Sequence, residues 1–194
     1  MHAPTAKTPT DAQPIFGRIA IDNIEPEPFR RILRCWCGQC DGAAFPSVKK
    51  IDPFLLPALV PNLILYEVTE TAIIFRVVGE KVVTTAGSSN LKGRTLVEAF
   101  GDTPYVHMVE DQLRECAASG VPLYSRHDFQ LRDDTYQDAF HSRKAWRIAL
   151  PYGDGGRVTR LLCYQLFSQE IETHYRKDID FGELLPKTVF KIEV

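Results

Sequence analysis

NLILYEVTETAIIFRVVG, residues 62–79, decides the fold class. Leu63 to Val68 and Ala72 to Val78 are apolar, β-branched runs joined by a short Thr/Glu turn, which predicts a β-hairpin. In the second run Phe75 and Val77 share one face and Arg76 takes the other, where an acid on the hairpin is its expected partner.

Downstream, the chain from Gly79 to Gly101 holds short helical fragments broken by AGSSN and LKGR. Pro104 to Ser119 then places Val106, Val109, Leu113, Cys116 and Ala117 on one stripe, which predicts a longer helix. Three strands are expected next: Val121 to Gln130, Ser142 to Leu150, and Arg157 to Phe167. The last two are separated by PYGDGG, whose Gly and Asp residues suit a tight reversal. GDGG at 153–156 lacks the Lys-Ser/Thr step and the following helix of a phosphate loop. Two strands, a helical crossover and a three-strand meander together predict an α+β domain, a five-stranded antiparallel sheet with helices on one face.

Upstream, Phe29, Ile32, Leu33 and Trp36 recur at helical spacing opposite Arg30, Arg31 and Arg34, which predicts an amphipathic helix from Pro28 to about Cys37. The prolines that follow punctuate a connector with one helical piece, Asp52 to Leu59, capped by Asp52 and started by Pro53. The expected organisation is a flexible tail over 1–24, a domain with its flanking helix over 25–168, and an extension over 169–194. That extension reads either as a short helix with an added strand or as a dimerisation or partner-binding segment.

Composition narrows the function classes. With 44% apolar and 25% charged residues the chain can bury a core, and a net charge of −2 gives no field to hold nucleic acid or acidic lipid. The N-terminal residues lack a basic start followed by an apolar run, and no stretch approaches ~18 apolar residues, so a cytoplasmic location away from membranes is expected. No GxSxG or HExxH motif occurs, and the scattered carboxylates read as a solvated surface, so no catalytic residues are assigned.

RCWCGQC, residues 34–40, gathers Cys35, Cys37 and Cys40. At about 100° per residue a continuous helix brings only Cys37 and Cys40 to one side. A structural zinc site needs a second ligand pair, which the sequence does not supply, so no metal ligand is assigned and the thiols are read as packing residues. His107, on the long helix, is rotated by roughly 110° from the apolar stripe and is expected to face water.

The period of two places Leu123, Ser125, His127 and Phe129 on one face of their strand, and Trp146, Ile148 and Leu150 on one face of the next. A polar pair on an apolar inner face can fix a ligand's orientation, because a buried polar group is costly until it is paired. The expected ligand-binding set is therefore Phe75, Val77, Leu123, Ser125, His127, Trp146 and Ile148, with the cofactor left unknown.

Trp36, Pro46, Ile51-Asp52-Pro53, Phe75-Arg76-Val77-Val78-Gly79, Leu91-Lys92-Gly93-Arg94 and Leu150-Pro151, in this order over residues 28 to 168, carry a resemblance. In them the chain resembles a bacterial PAS-like family of mostly single-domain proteins formerly labelled a domain of unknown function. The resemblance implies a five-stranded antiparallel sheet enclosing a pocket that relatives use for ligands, cofactors or signal relay. Fold does not fix function. The expectation is a non-catalytic sensory or regulatory module that binds a small molecule or a signalling protein. The alternatives are an interaction adaptor without a ligand and a cysteine-based metal or redox sensor. With no kinase, cyclase or DNA-binding segment after the domain, output is expected through a separate protein. The first helix has an apolar stripe that a one-sided sheet leaves uncovered, so a homodimer is expected.

Overall fold

The computed structural model describes residues 15–52, 56–86, 90–132, 140–167 and 188–193. The strands are β1 (Ile15–Ala20), β2 (Leu63–Val68), β3 (Ile73–Val78), β4 (Leu123–Arg132), β5 (Phe140–Asp154), β6 (Arg157–Phe167) and β7 (Thr188–Glu193). The α-helices are α1 (Glu27–Gln39), α2 (Glu80–Ala86), α3 (Leu96–Phe100) and α4 (Pro104–Ser119).

The hairpin forms as its sequence predicts: β2 pairs antiparallel with β3, with a register shift between Leu65 and Tyr66. Arg76 Nε donates to Glu67 Oε2 at 2.6 Å across it, the acid partner expected. The β5–β6 reversal closes on Gly155 and Gly156, whose φ values of 61° and 77° lie in the left-handed region that glycine adopts without a Cβ clash. Thr103 caps α4 by accepting from the Val106 N–H, and Gly120 ends it at a φ of 66°.

The sheet order is β1-β7-β4-β5-β6-β2-β3. The expected antiparallel five are present as β4-β5-β6-β2-β3, but the expectation of five strands is corrected to a seven-stranded mixed sheet. β7 adds antiparallel to β4, and β1 adds parallel to β7. β4 would otherwise present an unpaired edge, which β7 satisfies while burying Val189 and Ile192. The expected domain limits of 25 and 168 are accordingly too narrow, since residues 15–20 and 188–193 are strands of the same sheet.

A second correction concerns the layers. Helices cover both faces. On one face α2, α3 and α4 pack Val82, Leu96, Val106, Val109, Leu113 and Cys116 onto Tyr66, Phe75, Ala149 and Cys163. On the other, α1 packs Phe29, Ile32, Leu33 and Trp36 onto Tyr124, Ile148, Leu150 and Tyr164. The stripe on α1 that motivated a homodimer is thus covered within the chain. Phe29 meets Tyr124 and Tyr164 edge-on, at ring separations of 5.7 and 5.1 Å.

The helix expected over 52–59 is also revised. Residues 53–55 lie outside the described set, and Pro57–Asn62 is a 3-10 segment, in which Pro61 removes a donor that an α-helix would need.

Candidate functional site

Strand pairing sets which side chains meet beneath α4. Leu123, Ser125 and His127 of β4 stand opposite Ala149, Arg147 and Ala145 of β5, and Arg147 stands opposite Gln165 of β6. With Cys163, these residues form the floor under the helix, and four of them are polar: Ser125, His127, Arg147 and Gln165 are all buried. In a close-packed interior that is an expensive composition.

Arg147 is the centre of the layer. It is 7% exposed, and its Nε and Nη2 both donate to Gln165 Oε1, at 3.1 and 2.9 Å. Gln165 is neutral, so the guanidinium is hydrogen-bonded without being neutralised. Nη1 has no hydrogen-bond partner among the described residues. Burial opposes the charge, whereas Tyr105, Tyr66 and Cys163 beside it and a hydrogen bond with the Tyr105 side chain favour it, and the net direction is upward. The side chain therefore stays a cation. Removing such an ion from water costs on the order of several kcal/mol, and no carboxylate among the described residues offsets it.

Around it, His127 Nε2 lies 3.1 Å from Ser125 Oγ, and the His127 ring meets Tyr105 edge-on at 6.4 Å. Gln112, on the inward face of α4, is 5% exposed, and its Nε2 lacks a partner among the described residues. Asn62 ties the layer to the β2 entrance by donating to the Gln165 carbonyl at 3.0 Å. Burial pushes the Cys163 thiol up to about 12 and the Cys116 thiol well above its ordinary value, so both are neutral.

The seven residues expected to form one site do not come together. Phe75, Leu123, Ser125 and His127 lie on the α4 face. Trp146 and Ile148 pack on the opposite face with α1, and Val77 is 57% exposed on the outermost strand. The assignment of Trp146, Ile148 and Val77 to the inner face is corrected. Because both faces of the sheet are covered, the apolar row of β5 sits under α1 while the row Ala145, Arg147, Ala149 faces α4.

Arg147, Gln165 and Gln112 are the site residues that sequence reasoning missed. The signal was present in part: an arginine between two alanines on one face of a strand is small, charged, small, a row unsuited to a solvated face. Its partnership with Gln165 depends on the β5–β6 register.

The other candidates are less developed. Cys35, Cys37 and Cys40 are free and half-buried, and no cluster of three metal-ligating side chains occurs among the described residues. Burial pushes all three thiols up. Cys35 lines a crevice with Trp36, Gln39, Asp52 and Tyr152 whose volume of about 20 Å³ suits roughly one water molecule. His107 is exposed, as its position on α4 predicted, and pairs with Asp102.

No protein-family model matches the chain, and no curated protein matches it. Among solved structures, the PAS domain of Bordetella pertussis BvgS is similar at 23% identity and a TM-score of 0.37, over 58% of this chain and 82% of that one. An RNA-binding light-oxygen-voltage receptor is similar at 19% identity and a TM-score of 0.37, over 62% of this chain and 35% of that one. Among the described residues no helix is long and apolar enough to cross a membrane.

Proposed function

We propose that the chain is a PAS-like sensory or regulatory module without catalytic activity, whose input is a small molecule bound between α4 and the sheet. The observation that carries this reading is the buried polar layer of Ser125, His127, Arg147, Gln165 and Gln112, placed where apolar packing would be more stable. A fold that retains such groups has a use for them besides stability. The two thiols of the layer are neutral, and Ser125, which lies 3.1 Å from His127 Nε2, is taken as a polar contact of the binding floor.

The output is a contact with a separate signalling protein. A ligand that binds one packing of α4 more tightly than another shifts the population of that packing, and the outer surface of α4 follows. The test is native mass spectrometry of the purified chain beside its denatured mass. Added mass per chain that is lost on denaturation is the expected result. A native mass equal to the denatured mass, together with no thermal shift across a metabolite panel, would refute the ligand reading and leave an adaptor.

A further inference from the structure

We propose that the ligand is a small organic anion whose carboxylate seats on Arg147 beneath α4, an inference that rests on the ligand-binding reading above. The first ground is charge. Arg147 is a buried cation that is hydrogen-bonded to Gln165 Oε1 and to the Tyr105 side chain with no carboxylate beside it among the described residues, and Nη1 remains for a further acceptor. A guanidinium presents a planar fork that matches a carboxylate.

The second ground is independent of Arg147. Gln112 Nε2 is a buried donor without a partner among the described residues, carried by the opposite layer. Cys116, one helical turn further on, donates to the Ala149 carbonyl at 3.5 Å, two residues along β5 from Arg147. Tyr105, earlier on α4, meets the ring of His127, which stands opposite Ala145, so α4 runs along β5 from the level of Ala145 to that of Ala149 with Gln112 between the two contacts. Two orphaned donors bracketed by the same two contacts, from two layers, call for an acceptor-rich guest.

The third ground is room. The residues flanking Arg147 on its own face of β5 are Ala145 and Ala149, and its opposite number on β4 is Ser125. All three side chains are small, so these neighbours in the sheet leave the guanidinium uncovered on the side that meets Tyr105 of α4. The Ser125 hydroxyl adds a donor that turns toward a bound oxygen.

The experiment measures the melting temperature of the full chain, and titrates it calorimetrically, with sodium benzoate, sodium succinate, sodium phosphate, benzamide and succinamide at constant ionic strength. Saturable stabilisation by a carboxylate but not by the matching amide is expected. Two variants make the outcome specific. Arg147→Met removes an unneutralised buried charge, so it should raise the melting temperature of the ligand-free protein and weaken carboxylate binding at least tenfold. Gln165→Glu supplies the missing negative charge from within, so it too should raise the melting temperature and suppress the carboxylate response.

A response to phosphate alone, or equal responses to acid and amide, would overturn the carboxylate assignment. So would the absence of any shift with either carboxylate, or a lowered melting temperature in a folded Arg147→Met protein, which would make Arg147 a structural strut. Mass retained in native spectrometry alongside any of these results leaves the sensory reading standing and removes only the anion.

Discussion

The indole N–H of Trp36 donates to the carbonyl of Pro151 at 2.9 Å, joining α1 to the middle of the sheet across 115 positions of sequence. Proline at 151 has no N–H for the sheet ladder, and its carbonyl is claimed from outside the sheet by a helix. The contact fixes both the position and the rotation of α1, because Trp36 lies on the same stripe as Phe29, Ile32 and Leu33.

Replacing Trp36 separates these two roles. Trp36→Phe keeps an aromatic ring but leaves the Pro151 carbonyl buried without its donor, a loss of about 1–3 kcal/mol. Trp36→Ala adds a cavity and should cost about 3–5 kcal/mol. Urea unfolding of the three proteins checks the order; a Trp36→Phe protein as stable as the parent would show that the hydrogen bond contributes nothing net.

Much of this frame was legible in the chain. β2, β6 and α4 have the limits their patterns predict, since each carries a full period of apolar residues between clear turn signals. What local pattern cannot encode is which face of the sheet a row meets. A one-residue choice of face decides whether Trp146 or Arg147 lies under α4, and the alternation in β5 is the same in either case. The sequence favoured the apolar row because a single covered face was expected; α1 covers the second face and takes that row. Arg147 and Gln165 become partners only through the register of β5 with β6.

Gly79 follows β3 and marks a close approach of backbone to backbone. A Cβ built there would lie 2.3 Å from the Pro61 carbonyl oxygen and 2.4 Å from that of Val60. The Gly79 N–H donates to the Leu63 carbonyl at 2.7 Å, so the segment cannot drift away without losing that bond. Gly79→Ala should therefore destabilise by at least about 1–3 kcal/mol. Gly38, inside α1, is the control: nothing lies within 4 Å of its built Cβ, and Gly38→Ala should stabilise by about 0.4–1 kcal/mol. Denaturant midpoints of opposite sign for the two variants are the expected result.

The cysteines divide into two reactivity classes. Cys35, Cys37 and Cys40 are half-buried, and burial holds their thiols above the ordinary value, so each should react with a disulfide reagent at pH 8 more slowly than a free thiol. Cys116 and Cys163 are fully buried under α4, where burial raises them further. A thiol count in native buffer should plateau at three and reach five only in denaturant. Five equivalents in native buffer would mean that α4 leaves the sheet on the timescale of the reaction.

Tyr124 sets an alkaline limit on the fold. Its phenol donates to the Glu25 carbonyl, at the turn that leads into α1, and its ring stacks on Phe190 at 6.4 Å. Burial pushes the phenol from about 10 up to about 12, with Arg126 opposing and Glu25 adding to the rise. The folded state therefore holds this proton more tightly than the unfolded chain does. The resulting stability is complete below about pH 10 and is lost as the pH rises toward about 12. Other tyrosines and the lysines titrate in the same window, so the informative quantity is the difference between the parent and Tyr124→Phe. At pH 7 the variant should be less stable by about 0.5–1.5 kcal/mol, the net worth of the lost hydrogen bond. Between pH 10 and 12 the parent loses its advantage and the two unfolding curves should converge. A gap that stays constant over that range would show that the phenol keeps its proton to higher pH than its burial implies, or that the bond to Glu25 does not form in solution.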